Sequence, residues 1–224
     1  MQVEYVKWSE TFTQQFCGAG VILYCVRQGE VYYLLARESR YPSWRSSYKW
    51  SGFEGRKSEI DSCPEDNANR EFQEESMGII FEDITSLLRE KKYTMRVVMT
   101  VDNTEKHHFT YLIPIDHSDT IPIIFSHCRN AILSCTKETR DELSHILPSL
   151  SHIFHSSQEK RIHYLEKCEL KWWSSTKMTH VLSNSGNYKN HKFRPYFLPV
   201  MQEILKQEEV LKKKCREYAS NLSQ

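Results

Sequence analysis

The stretch that decides the fold is residues 52–78, which read GFEGRKSEIDSCPEDNANREFQEESMG. Two glycines open this stretch, a polar run follows them, and an acidic run closed by a third glycine ends it. Pro64 suits the first turn of a helix and Gly78 suits a C-terminal cap. The stretch therefore predicts a helix from about Glu65 to Met77.

Three glutamates of the predicted helix share one side of it. Glu71, Glu74 and Glu75 stand at i, i+3 and i+4, so their charges repel one another within a single turn. A hard divalent cation removes that repulsion, because magnesium binds a few carboxylates together with water and phosphate oxygens. Arg70 can hold a carboxylate in place, and Phe72 can face the core and fix the helix. A solvated acidic face is the alternative that the helix alone leaves open.

Strand patterns surround this helix. Residues 17–37 predict a hairpin, because two runs of β-branched and aromatic residues flank a short polar segment with Gly29. Residues 92–102 and 107–115 predict a second hairpin, and residues 168–173 predict a short strand. Strands and helices therefore interleave along the chain, which indicates a mixed α/β or α+β class.

Two other regions are expected to be helical. Residues 120–165 have apolar and polar residues at mixed helical spacing, with Pro122 and Pro148 as breaks, which predicts an inserted pair of short helices. The chain then ends in a predicted long helix from Phe193 to about Tyr218, whose apolar residues form a helical stripe.

Size and composition narrow the class of protein. A chain of 224 residues fits one generous domain, and we expect this domain at 1–205, with a helical insert at about 120–162 and a basic helical tail at 206–224. No apolar run suits a membrane span and no signal sequence is recognisable, so we expect a soluble, cytoplasmic protein without a membrane partner. A formal net charge of +1 gives no overall attraction to nucleic acid.

The segment from Gly55 to Gly78 resembles the Nudix box. In that family a glycine is followed, after five residues, by a glutamate, and after seven more by Arg-Glu-apolar-any-Glu-Glu-any-Gly. Here Asp61 follows Gly55 after five residues, and residues 70–75, REFQEE, keep the core of the pattern. The similarity extends to the upstream hairpin and to the downstream strand, over roughly residues 17–117 and 163–205.

Three positions depart from the family pattern. Asp61 replaces the first glutamate, and eight rather than seven residues separate it from Arg70. Glu54 replaces the more usual glycine before Gly55. One extra residue separates Glu75 from the closing glycine, a variation that resembles the Nudix proteins of large DNA viruses.

The resemblance implies a fold and an activity. The fold would be α+β, an α/β/α sandwich of Nudix type with a mixed sheet, extended by the helical insert and the long C-terminal helix. The activity would be that of a metal-dependent pyrophosphohydrolase, in which water attacks a phosphorus of a nucleoside diphosphate linked to another group. The cofactor would be Mg2+ (or Mn2+).

The same resemblance assigns roles to residues of this chain. Glu71, Glu74 and Glu75 would be metal ligands and catalytic residues, with the backbone carbonyl near Gly55 as a further ligand. Arg70 would orient a carboxylate. A downstream glutamate that helps to activate water would be Glu166, which we favour over the other candidates, Glu142 and Glu159. Each of these three downstream residues can also be an ordinary surface residue.

The loop after the first hairpin provides candidates for substrate binding. Arg37 and Arg40 can meet phosphates, and Tyr41 and Trp44 can stack on a nucleobase. Trp50, on a strand, is expected in the core. Single arginines are more often ordinary solvated surface residues, so this alternative to a role in binding stays open.

Three functions remain possible from the sequence. The substrate can be the 5′ cap of mRNA, so that the enzyme is a decapping enzyme with capped RNA as its partner, or a small nucleotide such as ADP-ribose or a related dinucleotide. The protein can also be a non-catalytic nucleotide-binding module on a Nudix scaffold. A basic stretch at 212–216 either suits a helix C-terminus or contacts an RNA backbone.

Overall fold

The computed structural model describes residues 2–5, 16–40, 47–101, 106–183 and 193–222. The strands within these ranges are β1 (Gln2–Tyr5), β2 (Phe16–Arg27), β3 (Glu30–Glu38), β4 (Trp50–Ser51), β5 (Phe53–Arg56), β6 (Met95–Val101), β7 (Lys106–Pro114) and β8 (Lys167–Ser174). The helices are α1 (Pro64–Ser76), α2 (Thr85–Arg89), α3 (Thr120–Ser134), α4 (Arg140–Ile146), α5 (Ser151–Phe154), α6 (Gln158–His163), α7 (Ser175–Ser183), α8 (Phe197–Lys206) and α9 (Glu208–Leu222).

All described strands belong to one mixed sheet built around β2. The path of neighbouring strands is β1-β6-β7-β2-β3-β4, with β5 paired to β2 and β8 paired to β3. Strands β2 and β7 run parallel, whereas the other pairs are antiparallel. The first half of β2 pairs with β5 and its second half with β3, so the two strands share one edge of β2.

Both predicted hairpins are confirmed, and so is the short strand predicted at residues 168–173. Strands β2 and β3 are joined at Gln28 and Gly29, which both have positive φ angles, 52° and 78°, as a tight turn between twisted strands requires. Strands β6 and β7 pair in antiparallel register from Met95 with Leu112 to Val101 with Lys106. Strand β8 pairs with β3.

The two faces of the sheet bury separate cores. Alternate residues of β2 point to opposite faces, so Val21 and Leu23 pack with Phe72 of α1, while Ile22 and Tyr24 pack with Phe197 of α8. Helices therefore cover both sides of the sheet. This arrangement confirms the predicted α+β class with a mixed sheet between helical layers.

The helical insert differs from its prediction. It contains α3 to α6 and a 3-10 turn at Pro148–Leu150, instead of a pair of short helices. Pro148 does end a helical run, but Pro122 lies in the first turn of α3, where the missing N–H breaks no intrahelical hydrogen bond. Phe125 of α3 and Phe154 of α5 are fully buried in the core that also contains Phe72. The insert is therefore part of the main core.

The C-terminal helical region begins later than expected and is divided. Phe193 forms a bridge to Trp50, the first helix starts at Phe197, and Gln207 separates α8 from α9. Leu211 of α9 is fully buried, and the Tyr24 hydroxyl donates to the Leu211 carbonyl over 3.3 Å. The proposed boundary between residues 205 and 206 stays a prediction.

The basic stretch 212–216 lies in the middle of α9. The last turn of this helix has no basic residue, so the interpretation of the stretch as a helix C-terminus is wrong. Lys214 instead donates to the carbonyls of Lys91 and Lys92 at 3.0 and 2.8 Å. Within the described part of the chain, no helix is long and apolar enough to cross a membrane.

The burial of α3 predicts how substitutions in the insert change the free energy of unfolding. We expect Phe125→Ala to lower the free energy of unfolding by about 3–4 kcal/mol, because it opens a cavity in the main core. Ile123→Ala, on the same helix but at a side chain that is 56% exposed, should change it by less than about 0.5 kcal/mol. Urea unfolding measures both values. Equal effects of the two variants would show that the insert does not share the core.

Candidate active site

The acidic helix α1 lies against strand β5 at very short range. Pro64 occupies its first turn as expected, and the helix ends at Ser76, where Met77 rather than Gly78 adopts the first left-handed conformation. A Cβ atom on Gly55 would overlap the carboxyl group of Glu71. Glycine at this position therefore lets the Glu71 carboxylate rest directly on the β5 backbone.

A second glycine brings β5 to its place. A Cβ atom on Gly20 would overlap Glu54, its partner across the β2–β5 pair. The Gly18-Ala-Gly20 segment, which precedes no helix, therefore allows the close approach of β5 to β2. It explains how the backbone of Glu54 and Gly55 is held beside α1.

Arg70 joins the carboxylates at the open side of the helix. Its guanidinium donates two hydrogen bonds of 3.0 Å to Asp61, lies 2.8 Å from Glu71 and 3.3 Å from Glu74, and donates to the Arg56 carbonyl over 3.1 Å. Asp61 is buried. The irregular spacing of Asp61 therefore does not remove it from the site, because it accepts a two-point hydrogen bond from Arg70.

Glu75 points away from Arg70 into the protein. Its Oε1 lies 2.9 Å from Lys167 Nζ, and its Oε2 accepts a hydrogen bond of 2.8 Å from the backbone N–H of Glu54. Lys167 also donates to Glu38 over 2.6 Å, and Glu38 in turn lies 3.2 Å from Arg194. The sequence gives no sign of this buried ionic network, because its partners come from strands far apart in the chain.

Burial raises the pKa values of three carboxyl groups of α1, and that of Glu75 rises well above its ordinary value although Lys167 opposes the rise. Burial raises the pKa of Glu71 to about 7, and Glu74 and Glu166 add to this effect, while Arg70 opposes it. Burial also raises the pKa of Glu74. Lys167 stays protonated: burial alone would lower its pKa, but Glu75 and Glu38 raise it above the ordinary value. The side of α1 that faces Arg70 thus holds negative charge that the protein compensates only in part.

These carboxylates open onto a cleft of about 760 Å3. The lining residues are Glu54, Gly55, Arg56, Lys57, Ser58, Ile60, Arg70, Glu71, Glu74, Glu75, His163, Glu166 and Arg194. Glu166 is therefore the one of the three downstream candidates that lines this cleft, and its carboxylate lies 3.2 Å from His163 Nδ1. Glu142 and Glu159 do not line it.

The chemistry of this donor set suits a hard divalent cation. Glu71 and Glu74 have carboxylate oxygens at the cleft, and the Gly55 backbone is in contact with Glu71. Over the described ranges, no three Asp, Glu, His or Cys side chains are already arranged as a metal site. Arg70 holds Glu71 and Glu74 by ion pairs of 2.8 and 3.3 Å.

The predicted substrate-binding residues are only partly brought to this cleft. Arg37 pairs with Glu169 at 3.1 Å and lies over the rings of Tyr48 and Trp50 at 4.5 and 4.6 Å. Arg40 lies over the Tyr48 ring at 4.3 Å. Neither arginine lines the cleft.

The two aromatic candidates and Trp50 belong to the segment that follows the first hairpin. Tyr41 and Trp44 lie outside the described residues. Trp50 is buried in the core, as expected.

Several residues of the cleft were missed by the sequence reasoning. Arg56 and Lys57 follow Gly55 directly, so their position after the segment 52–55 could have indicated them. His163 and Arg194 gave no signal, because neither belongs to a motif. Lys167 lies on a strand whose charged and apolar residues do not alternate strictly, so no pattern marks it as buried.

The raised pKa of Glu71 predicts how stability depends on pH. Because the folded protein binds this proton more tightly than the unfolded chain, the resulting stabilisation is complete below about pH 4.5 and is lost as the pH rises through about 7. Without divalent cations, Glu71→Gln should therefore gain roughly 2 kcal/mol over the unsubstituted protein between pH 5 and pH 8. Urea unfolding in the presence of EDTA measures this difference. The exposed variant Glu82→Gln is the control, and a constant difference for Glu71→Gln would contradict the assignment.

Comparison with known proteins gives distant structural similarity. No family model matches the chain, and no curated protein matches it. The NUDIX domain of Shewanella oneidensis NrtR, complexed with ADP ribose, is 12% identical, with 90% of this chain and 93% of that chain covered and a TM-score of 0.43. A mutT/nudix family protein from Listeria innocua is 14% identical, with 88% and 97% covered and a TM-score of 0.39. The C. elegans Ap4A hydrolase is 20% identical, with 46% and 67% covered and a TM-score of 0.31. The structural neighbours are thus Nudix-domain proteins, and the similarity is one of fold only.

Proposed function

We propose that this chain is a metal-dependent pyrophosphohydrolase of the Nudix type, which cleaves a nucleoside diphosphate linked to another group. The observation that carries the proposal is the arrangement around Arg70, where Asp61, Glu71 and Glu74 meet at the wall of the cleft. A purely solvated acidic face does not need two glycines to press its carboxylates against a backbone strand.

The residues of the cleft suit phosphoryl chemistry, which mainly requires charge neutralisation and positioning. Mg2+ or Mn2+, when bound, supplies the neutralisation of phosphate charge. Glu71, Glu74 and the Gly55 carbonyl would hold the ion, and Arg70 would orient both carboxylates with its own position fixed by Asp61. Glu75 was predicted as a third ligand, but its two oxygens already have partners.

Other groups at the cleft suit the remaining tasks. Glu166 would accept the proton of the attacking water, because it lies at the cleft without belonging to the α1 cluster. Arg56, Lys57 and Arg194 place positive charge beside the acidic wall, where it would meet the phosphates of a substrate.

Two substrate classes remain within this proposal. The 5′ cap of mRNA is favoured by the extra residue before Gly78, through its resemblance to the Nudix proteins of large DNA viruses. The basic stretch already has partners within the protein, since Lys212 lies 3.4 and 2.9 Å from Glu208 and Glu209. These ion pairs argue against its contact with an RNA backbone. ADP-ribose and related dinucleotides form the other class.

A non-catalytic nucleotide-binding module is the second candidate function. It is favoured by the ion pair between Glu75 and Lys167, because a buried lysine has taken one carboxylate of the acidic helix. The deciding assay incubates the purified protein and Mg2+ or Mn2+ with capped RNA, ADP-ribose, NADH, diadenosine polyphosphates and nucleoside triphosphates. Product from any of these supports the enzyme, whereas binding without product supports the module.

The role of Glu74 predicts the effect of a conservative change. Glu74→Gln should lower metal-dependent turnover by at least about 100-fold, because it removes a charge that faces the cleft. Its fold should persist, because the side chain is 29% exposed. Turnover with the best substrate of the panel and thermal melting measure the two effects. Glu82→Gln should keep full activity, and an equally active Glu74→Gln would refute the assignment.

Salt dependence separates the two substrate classes. If capped RNA is the substrate, raising the salt from 50 to 200 mM should increase KM more than about tenfold, because RNA binding releases counterions from several phosphates. A small dinucleotide contacts few phosphates, so its KM should change by less than about threefold. Measuring both substrates in the same buffers, with Mg2+ held constant, provides the internal control.

A further inference from the structure

The buried lysine Lys167 has no part in the function proposed so far. Its ammonium lies 2.6 Å from Glu38, 2.9 Å from Glu75 and 3.2 Å from the Ser51 hydroxyl, and none of its surface is exposed. A lysine is almost never fully buried unless it is paired. Its three donors are all used by these three acceptors, so Lys167 is held in one position.

Glu75 is equally constrained. Both groups that contact its oxygens are donors, namely the Lys167 ammonium and the Glu54 N–H, and these contacts favour the carboxylate against the burial that raises the pKa of Glu75. Only 2% of this residue is exposed, whereas Glu74 on the same turn has 29% of its side chain exposed. All three carboxylates line the cleft, but they differ in their partners, since Glu71 and Glu74 pair with Arg70 whereas Glu75 pairs with the buried Lys167.

We propose that Lys167 is a positioning residue that withdraws Glu75 from the metal and uses it to lock α1 onto β5. The ammonium of Lys167 takes the place of a divalent ion at Glu75, and the cation is left to Glu71, Glu74 and the Gly55 carbonyl. This inference rests on the proposed metal-dependent function and changes the predicted role of one of its ligands.

Electrostatics supports this division. A divalent cation bound to Glu75 would lie close to the buried Lys167 ammonium, and two positive charges repel strongly where little water screens them. Lys167 cannot move away without leaving Glu38 and Ser51, because both acceptors are buried as well. Glu38 would then keep only Arg194 and the 3.4 Å hydrogen bond from the Ser51 hydroxyl among its described partners. Lys167 is therefore a more favourable partner for Glu75 than a divalent cation.

The contact of Glu75 with β5 also fixes the position of the proposed backbone ligand, the Gly55 carbonyl. The hydrogen bond from the Glu54 N–H to Glu75 joins β5 to the last turn of α1, one residue before Gly55. Since Gly55 in turn contacts Glu71, the position of its carbonyl relative to the cleft depends on this bond. Lys167 thus acts on the metal site through Glu75.

The experiment measures Mn2+ binding by electron paramagnetic resonance at pH 8, with folding followed by thermal melting. We expect the unsubstituted protein to bind Mn2+, and Glu74→Gln to weaken binding at least tenfold. Glu75→Gln should weaken it less than about threefold, because the amide oxygen still accepts from the Glu54 N–H. Lys167→Met should strengthen binding at least fivefold or add a second ion, because it frees a buried carboxylate. A role of Lys167 in folding alone produces no such gain.

The double variant Glu75→Gln with Lys167→Met keeps the inference testable if a single variant fails to fold. It removes both charges of the pair and leaves Glu38 with Arg194, so it should fold and bind Mn2+ like Glu75→Gln. Equal losses for Glu75→Gln and Glu74→Gln would overturn the inference and make Glu75 a ligand. Absence of Mn2+ binding to the unsubstituted protein would overturn the proposed function instead, so the two failures are distinguishable.

Discussion

The structure depends on the burial of several carboxylates along one helix. Glu71 and Glu75 would repel each other and lose hydration if they were buried without partners, and such a cost exceeds what packing of the same turn provides. Two cations on opposite sides of α1 remove most of this cost. Arg70 pairs with Glu71 and Glu74 at the cleft, and Lys167 pairs with Glu75 on the side of the sheet.

The sheet brings Lys167 of β8 and the backbone of β5 to α1, which itself carries Arg70. Strand β2 pairs with β5 along its first half and with β3 along its second half, which places the Glu54–Gly55 backbone below the acidic helix. Strand β8 adds to the edge of β3 and carries Lys167 to the same place. Because β8 follows the helical insert, the packing of the insert against the core also determines where Lys167 lies.

The sequence predicted the parts of this arrangement that are local. The hairpin between β2 and β3, the helix α1 and the role of Arg70 follow from spacing within short segments, and Glu166 was named because it precedes a predicted strand. The ion pair between Glu75 and Lys167 joins residues far apart in the chain, and no spacing rule detects such a pair. Asp61 departs from the family spacing by one residue, yet the loop before Pro64 absorbs the extra residue and the Asp61 carboxylate meets Arg70. The first turn of α3 was misread for a physical reason, since a proline at this position interrupts no hydrogen bond.

The two cations differ in a way that bears on the chemistry. The side chain of Arg70 is 22% exposed, and its ion pairs with Glu71 and Glu74 lie at the wall of the cleft, where the cation and phosphate of the proposed reaction would meet them. Lys167 is sealed from solvent, so its partners are not exchanged when a ligand binds. In such a site, the buried ion pair of α1 with Lys167 stays fixed, while the ion pairs of the same helix with Arg70 can change partners. If the proposed metal-dependent function holds, the number of divalent ions bound would be set by the carboxylates that pair with Arg70, and not by the number of glutamates in the motif.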